Sequence, residues 1–241
     1  MFKKNITNFL LLGALNFIYI ANGMTPSLSN FQYKCASVLP YTKFESGKKY
    51  FVLAREAFGS AQGTWDAFGG ARDANEVHPV QTACREFCEE SINLFNPQGG
   101  VEKYIDVDSG NTKQIIANNK CKSVVYFTYL SKEDARRISY GFQKARSNAK
   151  KFEFREKDAI AYVLWDDLEV AIANAPRNNQ GSLILPIKVN AIVFDPTISK
   201  DPAKSKIKKL INLRPFFVST VQPFFQNKNF TQGKHKAITF Y

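Results

Sequence analysis

The chain has 241 residues, with 33 Lys plus Arg against 21 Asp plus Glu, a formal net charge of +12, 44% apolar residues and 22% charged residues. This composition excludes a disordered chain, which has too few hydrophobes to offset the entropy of folding, and it excludes collagen, a coiled coil and a multi-span membrane protein. The length suits one sizeable domain with a tail, or two small ones, and the excess positive charge favours an anionic partner.

At the N-terminus, Lys3 and Lys4 precede a run over residues 9–20 that is apolar except for Asn16, and Ala21-Asn22-Gly23 follows with small residues where a signal peptidase reads. The run is shorter than the roughly 20 residues a helix needs to cross a bilayer. Residues 1–23 therefore read as a signal peptide and the mature chain as secreted or periplasmic; an uncleaved anchor is the weaker alternative.

Residues 32–41 and 49–54 are strand-like, rich in aromatic and β-branched residues, with the turn-forming ESGK between them. A glycine-rich stretch over 58–70 marks a loop. Residues 79–94 have no interior Gly or Pro and place Pro79 in the first turn, where its missing N–H costs nothing, so they read as a helix. Strands are expected at KYIDV (103–107), KQIIA (113–117) and SVVYFTYL (123–130), a helix over 131–150, a strand at IAYVLW (160–165), and a helix over 166–175 capped by Asp166. Strands interleaved with helices of this kind predict a mixed α/β layer structure over 33–195.

From residue 196 to the end, nine Lys and Arg stand against the single Asp201. This basic C-terminal extension, 196–241, reads as a solvated helix at AKSKIKKLIN, packed by Ile207, Leu210 and Ile211, or as a surface for nucleic acid or another polyanion. It also carries the core-like FFV and PFF. The four cysteines, 35, 84, 88 and 121, show no zinc spacing. Cys84 and Cys88 lie one helical turn apart, where a mutual disulfide is strained, and read as small buried residues; Cys35 with Cys121 is the pair proposed as a bridge, although connectivity is not deducible from sequence.

The segment that carries chemistry is Arg85-Glu86-Phe87-Cys88-Glu89-Glu90. At about 100° per residue, Glu86, Glu89 and Glu90 share one face of a helix, beside an apolar face of Cys84, Phe87, Cys88 and Leu94. Carboxylates crowded in this way suit a hard divalent cation with oxygen ligands, and Arg85 reaches Glu89 one turn on. Alone the string is unspecific, because EE pairs are frequent on solvated helices.

Its flanks make it specific. Gly70 stands six residues before Glu76, and eight residues separate Glu76 from Arg85, giving GX5EX8REFCEE. This resembles the box of the Nudix hydrolase family, which is G, five residues, E, seven residues, REUxEExGU with U apolar. Trp65, the strand KYFVLAREA and the later strand-to-helix EKDAIAYVLWDDLEVAI resemble the family's arrangement too, so the likeness spans roughly residues 33–175. Two departures are visible: the extra residue near His78-Pro79, and Ile92 where the family has glycine.

The resemblance implies an α/β/α sandwich with a mixed central sheet and a metal-dependent hydrolase that cleaves a diphosphate in a nucleoside diphosphate linked to another moiety. It implies Glu89 and Glu90 as main ligands of Mg²⁺ or Mn²⁺, Glu86 as a further ligand or activator of water, Arg85 as orienting partner and the Gly70 carbonyl as another ligand. Glu156, with Glu153 as substitute, falls where the family often carries a late acid, placed to act as general base. The alternative is a catalytically inactive Nudix-like protein that binds a nucleotide or polyanion, and a secreted factor is compatible with either. His78 reads as a surface residue, and Phe58, Trp65 and Phe68 as either core residues or platforms for a base.

Overall fold

A computed structural model describes residues 31–106, 109–194, 206–226 and 237–240. Among them run β1 (Cys35–Lys43), β2 (Lys49–Glu56), β3 (Trp65–Asp66), β4 (Phe68–Ala71), α1 (Pro79–Glu90), α2 (Val101–Ile105), β5 (Thr112–Asn118), β6 (Ser123–Tyr129), α3 (Lys132–Asn148), β7 (Lys157–Leu164), α4 (Trp165–Ala173), β8 (Ile187–Phe194), β9 (Lys206–Leu213), α5 (Pro215–Gln226) and β10 (Ala237–Phe240). Residues 1–23, expected to be a signal peptide, lie outside the described residues. No helix among them is long and apolar enough to cross a membrane.

The strands form one mixed sheet in the order β10-β5-β6-β1-β2-β3-β9-β8-β7, with β4 added beside β1 and a second pairing between β2 and β7. β1 lies parallel to β6 on one edge. On its other edge the first half pairs antiparallel with β4, Cys35 opposite Ala71 through Val38 opposite Phe68, and the second half with β2.

Successive side chains of a strand point to opposite faces, and here both faces are covered. Leu39 and Tyr41 of β1, Phe51 and Leu53 of β2, and Ala161 and Val163 of β7 pack under α4 and α5 through Leu168, Ile172, Phe217, Val221 and Phe225. The intervening Ala36, Val38, Val52, Ala54, Ile160 and Tyr162 pack under α1, α2 and α3 through Ala83, Phe87, Ile105, Ile138 and Phe142. The chain is therefore a mixed α/β fold with a sheet between two helical layers, as the alternation of strands and helices predicts.

Several elements differ from expectation. Residues 101–105 are helical where KYIDV reads as strand, because Val101, Tyr104 and Ile105 present an i, i+3, i+4 face to the core after the Gly99-Gly100 break. The loop expected over 58–70 contains β3 and the start of β4. α1 ends at Glu90, and Ile92 and Asn93 reverse the chain at φ 57° and 53°. The residue that replaces the family's glycine thus adopts the left-handed conformation glycine favours. α4 starts at Trp165 with Leu164 as N-cap, so Asp166 lies inside the first turn rather than capping it.

The larger correction concerns the basic segment. The described part of AKSKIKKLIN is strand, not helix: residues 206–213 are β9, antiparallel to β8 from Ile187 opposite Leu213 to Phe194 opposite Lys206. Ile211 and Leu213 are buried at period two, while Lys208, Leu210 and Asn212 face outward. α5 follows and buries Phe217, Val218, Val221, Phe224 and Phe225 in the same core as the sheet. All four cysteines are free thiols, so Cys35 is not bridged to Cys121, and of the helix pair Cys84 is buried while Cys88 is partly exposed.

Candidate active site

The site is built where β4 meets α1. On Gly69 a Cβ would lie 2.2 Å from the Ser37 Cβ, and on Gly70 it would lie 2.3 Å from Oε1 of Glu86. The first glycine lets β4 lie against β1, and the second lets backbone pass directly beside a carboxylate of α1.

α1 is anchored by contacts to the loop before it. Gln81 Oε1 accepts from the backbone N–H groups of Val77 and His78 at 2.8 and 3.0 Å, satisfying donors at the helix start where Pro79 has none. Glu76 is buried and accepts from Arg85 Nε at 2.9 Å, the Asp73 backbone N–H at 2.8 Å and the Thr82 hydroxyl at 2.5 Å. The additional residue between Glu76 and Arg85 therefore lies in the loop, and the pair still forms across it. Burial raises the Glu76 carboxyl, but its bonds from Arg85, Thr82 and the Asp73 amide outweigh that and hold it below the ordinary carboxylate value.

Arg85 is the hub of this corner. Its Nη1 donates to Glu86 Oε1 at 2.8 Å and to Glu89 Oε2 at 3.2 Å, and its Nη2 donates to the Ala71 carbonyl at 2.8 Å. The guanidinium fork thus ties β4, the loop acid Glu76 and two acids of α1 together.

Glu90 turns inward. Its Oε2 accepts from the Gly69 backbone N–H at 2.7 Å, and its Oε1 lies 3.0 Å from Nζ of Lys157, a lysine fully buried at the start of β7. Lys157 also bonds Glu56 Oε1 at 2.7 Å; Arg214 bonds the same oxygen at 2.7 Å and Asp66 Oδ2 at 3.0 Å. The network runs from α1 through β7, β2 and the end of β9 to β3. Three carboxylates hold Lys157 charged against the cost of its burial, whereas burial raises Asp66 and pushes Glu90 up to about 8, each opposed by Lys157.

Carboxylate oxygens of Glu86, Glu90 and Glu156 converge within 4.8 Å of one another. Glu156 follows the single turn Glu153–Arg155 that leads into β7, and its carbonyl accepts from the Ala57 N–H at 2.8 Å. Burial, with contributions from Glu89 and Glu156, pushes Glu86 up to about 6 against the pull of Arg85. Three acids at this separation repel unless a cation or proton lies between them.

The expected residues are thus distributed unevenly. Glu86, Glu90 and Glu156 come together with Gly70 beside Glu86, and Arg85 orients Glu86. Glu89 lies one turn beyond Arg85, 3.2 Å from its Nη1, and the three acids whose oxygens converge are two from the helix and one from a loop. His78 is exposed, Trp65 and Phe68 are buried in the core, and Phe58 is 46% exposed. Sequence reasoning missed Lys157, Glu56, Asp66 and Arg214, each an ordinary charged residue until the sheet links it into the network that reaches Glu90 through Lys157. Their one sequence signal was a lysine opening an apolar strand. Behind Gly70, a cavity of about 240 Å³ is lined by Ser37, Asp66, Gly70, Arg214, Phe217 and Thr220 among others.

No family model matches the chain, and no curated protein matches it. Solved structures similar to it include a Nudix hydrolase from M. Smegmatis, 17% identical over 42% of this chain and 63% of that one, TM-score 0.26. A MutT/nudix family protein from Enterococcus faecalis is 9% identical over 94% of this chain and 69% of that one, TM-score 0.39. An Ap4A hydrolase from C. elegans is 22% identical over 41% of this chain and 65% of that one, TM-score 0.25. The chain thus spans less than two thirds of the first of these structures.

Proposed function

We propose that this protein is a Nudix-type pyrophosphohydrolase, dependent on Mg²⁺ or Mn²⁺, which cleaves a diphosphate linkage in a nucleoside diphosphate linked to another moiety. The observation that carries the reading is the convergence of Glu86, Glu90 and Glu156 within 4.8 Å beside a glycine that leaves no room for a side chain. The donors are all hard oxygens, which fits Mg²⁺ or Mn²⁺ and does not fit a thiolate-seeking metal.

Glu86, Glu90 and Glu156 would hold the ion, with the Gly70 backbone alongside. A divalent ion bound there supplies charge neutralisation for the diphosphate and acidifies a coordinated water. The chain's own residues do the rest. Arg85 fixes the Glu86 carboxylate, and Lys157 with the Gly69 N–H fixes that of Glu90, so the acids need not reorganise during the reaction. Glu156, carried on a turn rather than on α1, takes a proton from the attacking water. The water oxygen bonds to phosphorus, the bridging P–O bond breaks, and the products are a nucleoside monophosphate and the phosphorylated second moiety.

The Glu76–Arg85 contact supports an active enzyme over an inactive binder, because the altered spacing leaves that pairing in place. The test is product release from a panel of nucleoside diphosphate compounds with Mg²⁺, comparing wild type with Glu90→Gln. Turnover lost in the variant supports the reading, whereas binding without turnover in wild type contradicts it. Residues 1–23 are proposed to direct export, which N-terminal sequencing of the exported protein checks.

A further inference from the structure

A divalent ion held by the carboxylate cluster would grip a diphosphate, but the cluster has no means of recognising a base. Of the three aromatic residues near the box, only Phe58 is exposed, and it is joined by a residue from elsewhere in the sequence. The Phe58 and Phe152 rings stack with centroids 5.4 Å apart and planes 25° apart, yet they are 46% and 57% exposed. Two large apolar rings packed on each other in water retain open faces, an arrangement that core packing does not explain.

Their position ties them to the carboxylates. Phe58 stands in the connection between β2 and β3, one residue after Ala57, whose N–H donates to the Glu156 carbonyl at 2.8 Å. Phe152 is the N-cap of the turn Glu153–Arg155 that delivers Glu156 to the cluster. The two segments that set the Glu156 backbone therefore also carry the two rings. Lys150, Lys151 and Arg155 are exposed on the same stretch of chain as Phe152, so positive charge accompanies the ring pair.

We infer that Phe58 and Phe152 form a stacking platform for the nucleobase of the substrate, placed so that the attached diphosphate reaches Glu86, Glu90 and Glu156. The inference rests on the hydrolase reading and adds to it the group that recognises the substrate's organic end. Stacking is tolerant of base identity, since every base has a π-face, so the platform selects nucleotides over other diphosphates rather than one base over another.

The test uses two non-hydrolysable probes with the same phosphorus linkage, α,β-methylene-ADP and methylenediphosphonate, titrated calorimetrically in Mg²⁺ buffer into wild type, Phe58→Leu, Phe152→Leu and the ring-retaining Phe58→Tyr. Expected is tighter binding of the nucleotide by wild type, about tenfold weaker nucleotide binding in each Leu variant, retained affinity in Phe58→Tyr, and unchanged methylenediphosphonate binding throughout. In turnover, KM rises in the Leu variants while kcat holds. Nucleotide affinity independent of both rings, or equal loss for both probes, overturns the platform alone. Binding of neither probe by wild type overturns the hydrolase reading and the platform with it.

Discussion

Glu90 and Lys157 meet 3.0 Å apart in a place solvent does not reach, one at the end of α1 and the other at the start of β7. The Lys157 ammonium is shared between Glu90 and Glu56, the latter 2.7 Å away. The contact makes the position of a candidate metal ligand depend on the sheet.

Removing the cation leaves the buried Glu90 carboxylate without its partner, while Glu56 keeps Arg214. Lys157→Met is expected to cost about 3–5 kcal/mol, the range for breaking a buried pair from one side. Urea denaturation measures this, and the double variant Lys157→Met with Glu90→Gln recovers part of the loss. Equal stability of the two variants would contradict the coupling.

Gly70 is a geometric requirement rather than a flexible joint. Gly70→Ala places a methyl 2.3 Å from Glu86 Oε1, so the carboxylate must shift. A displacement of about 1 Å costs on the order of 10²-fold in rate. Steady-state kinetics is expected to show that fall.

The Glu76–Arg85 contact has a pH signature. Glu76 titrates below the ordinary value of 4.5, so its stabilisation is complete above that pH and is lost as pH falls through the lower native value. Glu76→Gln is expected to lower stability at pH 7 by about 1.5–3 kcal/mol, as loss of charge-assisted hydrogen bonds does. It also flattens the decline of stability below pH 4.5. Denaturation curves collected across pH 2.5–7 compare the two slopes.

Four free thiols predict four equivalents of thiol reagent per chain in guanidinium without reductant. Two equivalents would reveal a bridge that the structure lacks. Burial pushes the Cys84 and Cys88 thiols up, so both react slowly in the native state.

Much of this was legible in the sequence where local pattern and tertiary role agree. The continuous apolar runs of β2 and β6, buried on both faces, and the amphipathic faces of α1 and α3 are burial patterns, and burial is what shaped them. β9 was misread because Ile207, Leu210 and Ile211 also satisfy helical spacing, and only its eight-residue partnership with β8 selects period two. The box put Glu86, Glu89 and Glu90 on α1; the structure pairs Glu89 with Arg85, and a turn far along the chain brings Glu156 to Glu86 and Glu90. The Lys157, Glu56, Arg214 and Asp66 network was invisible because no two of its members are near neighbours in sequence, and strand order alone joins them.

The most direct test of the account is Mn²⁺ binding by titration calorimetry to wild type, Glu86→Gln, Glu90→Gln, Glu156→Gln and Glu89→Gln. The cluster predicts that the first three substitutions each weaken binding at least about tenfold while Glu89→Gln weakens it least. Loss confined to Glu89→Gln, with Glu156→Gln binding as wild type does, would contradict the site described here.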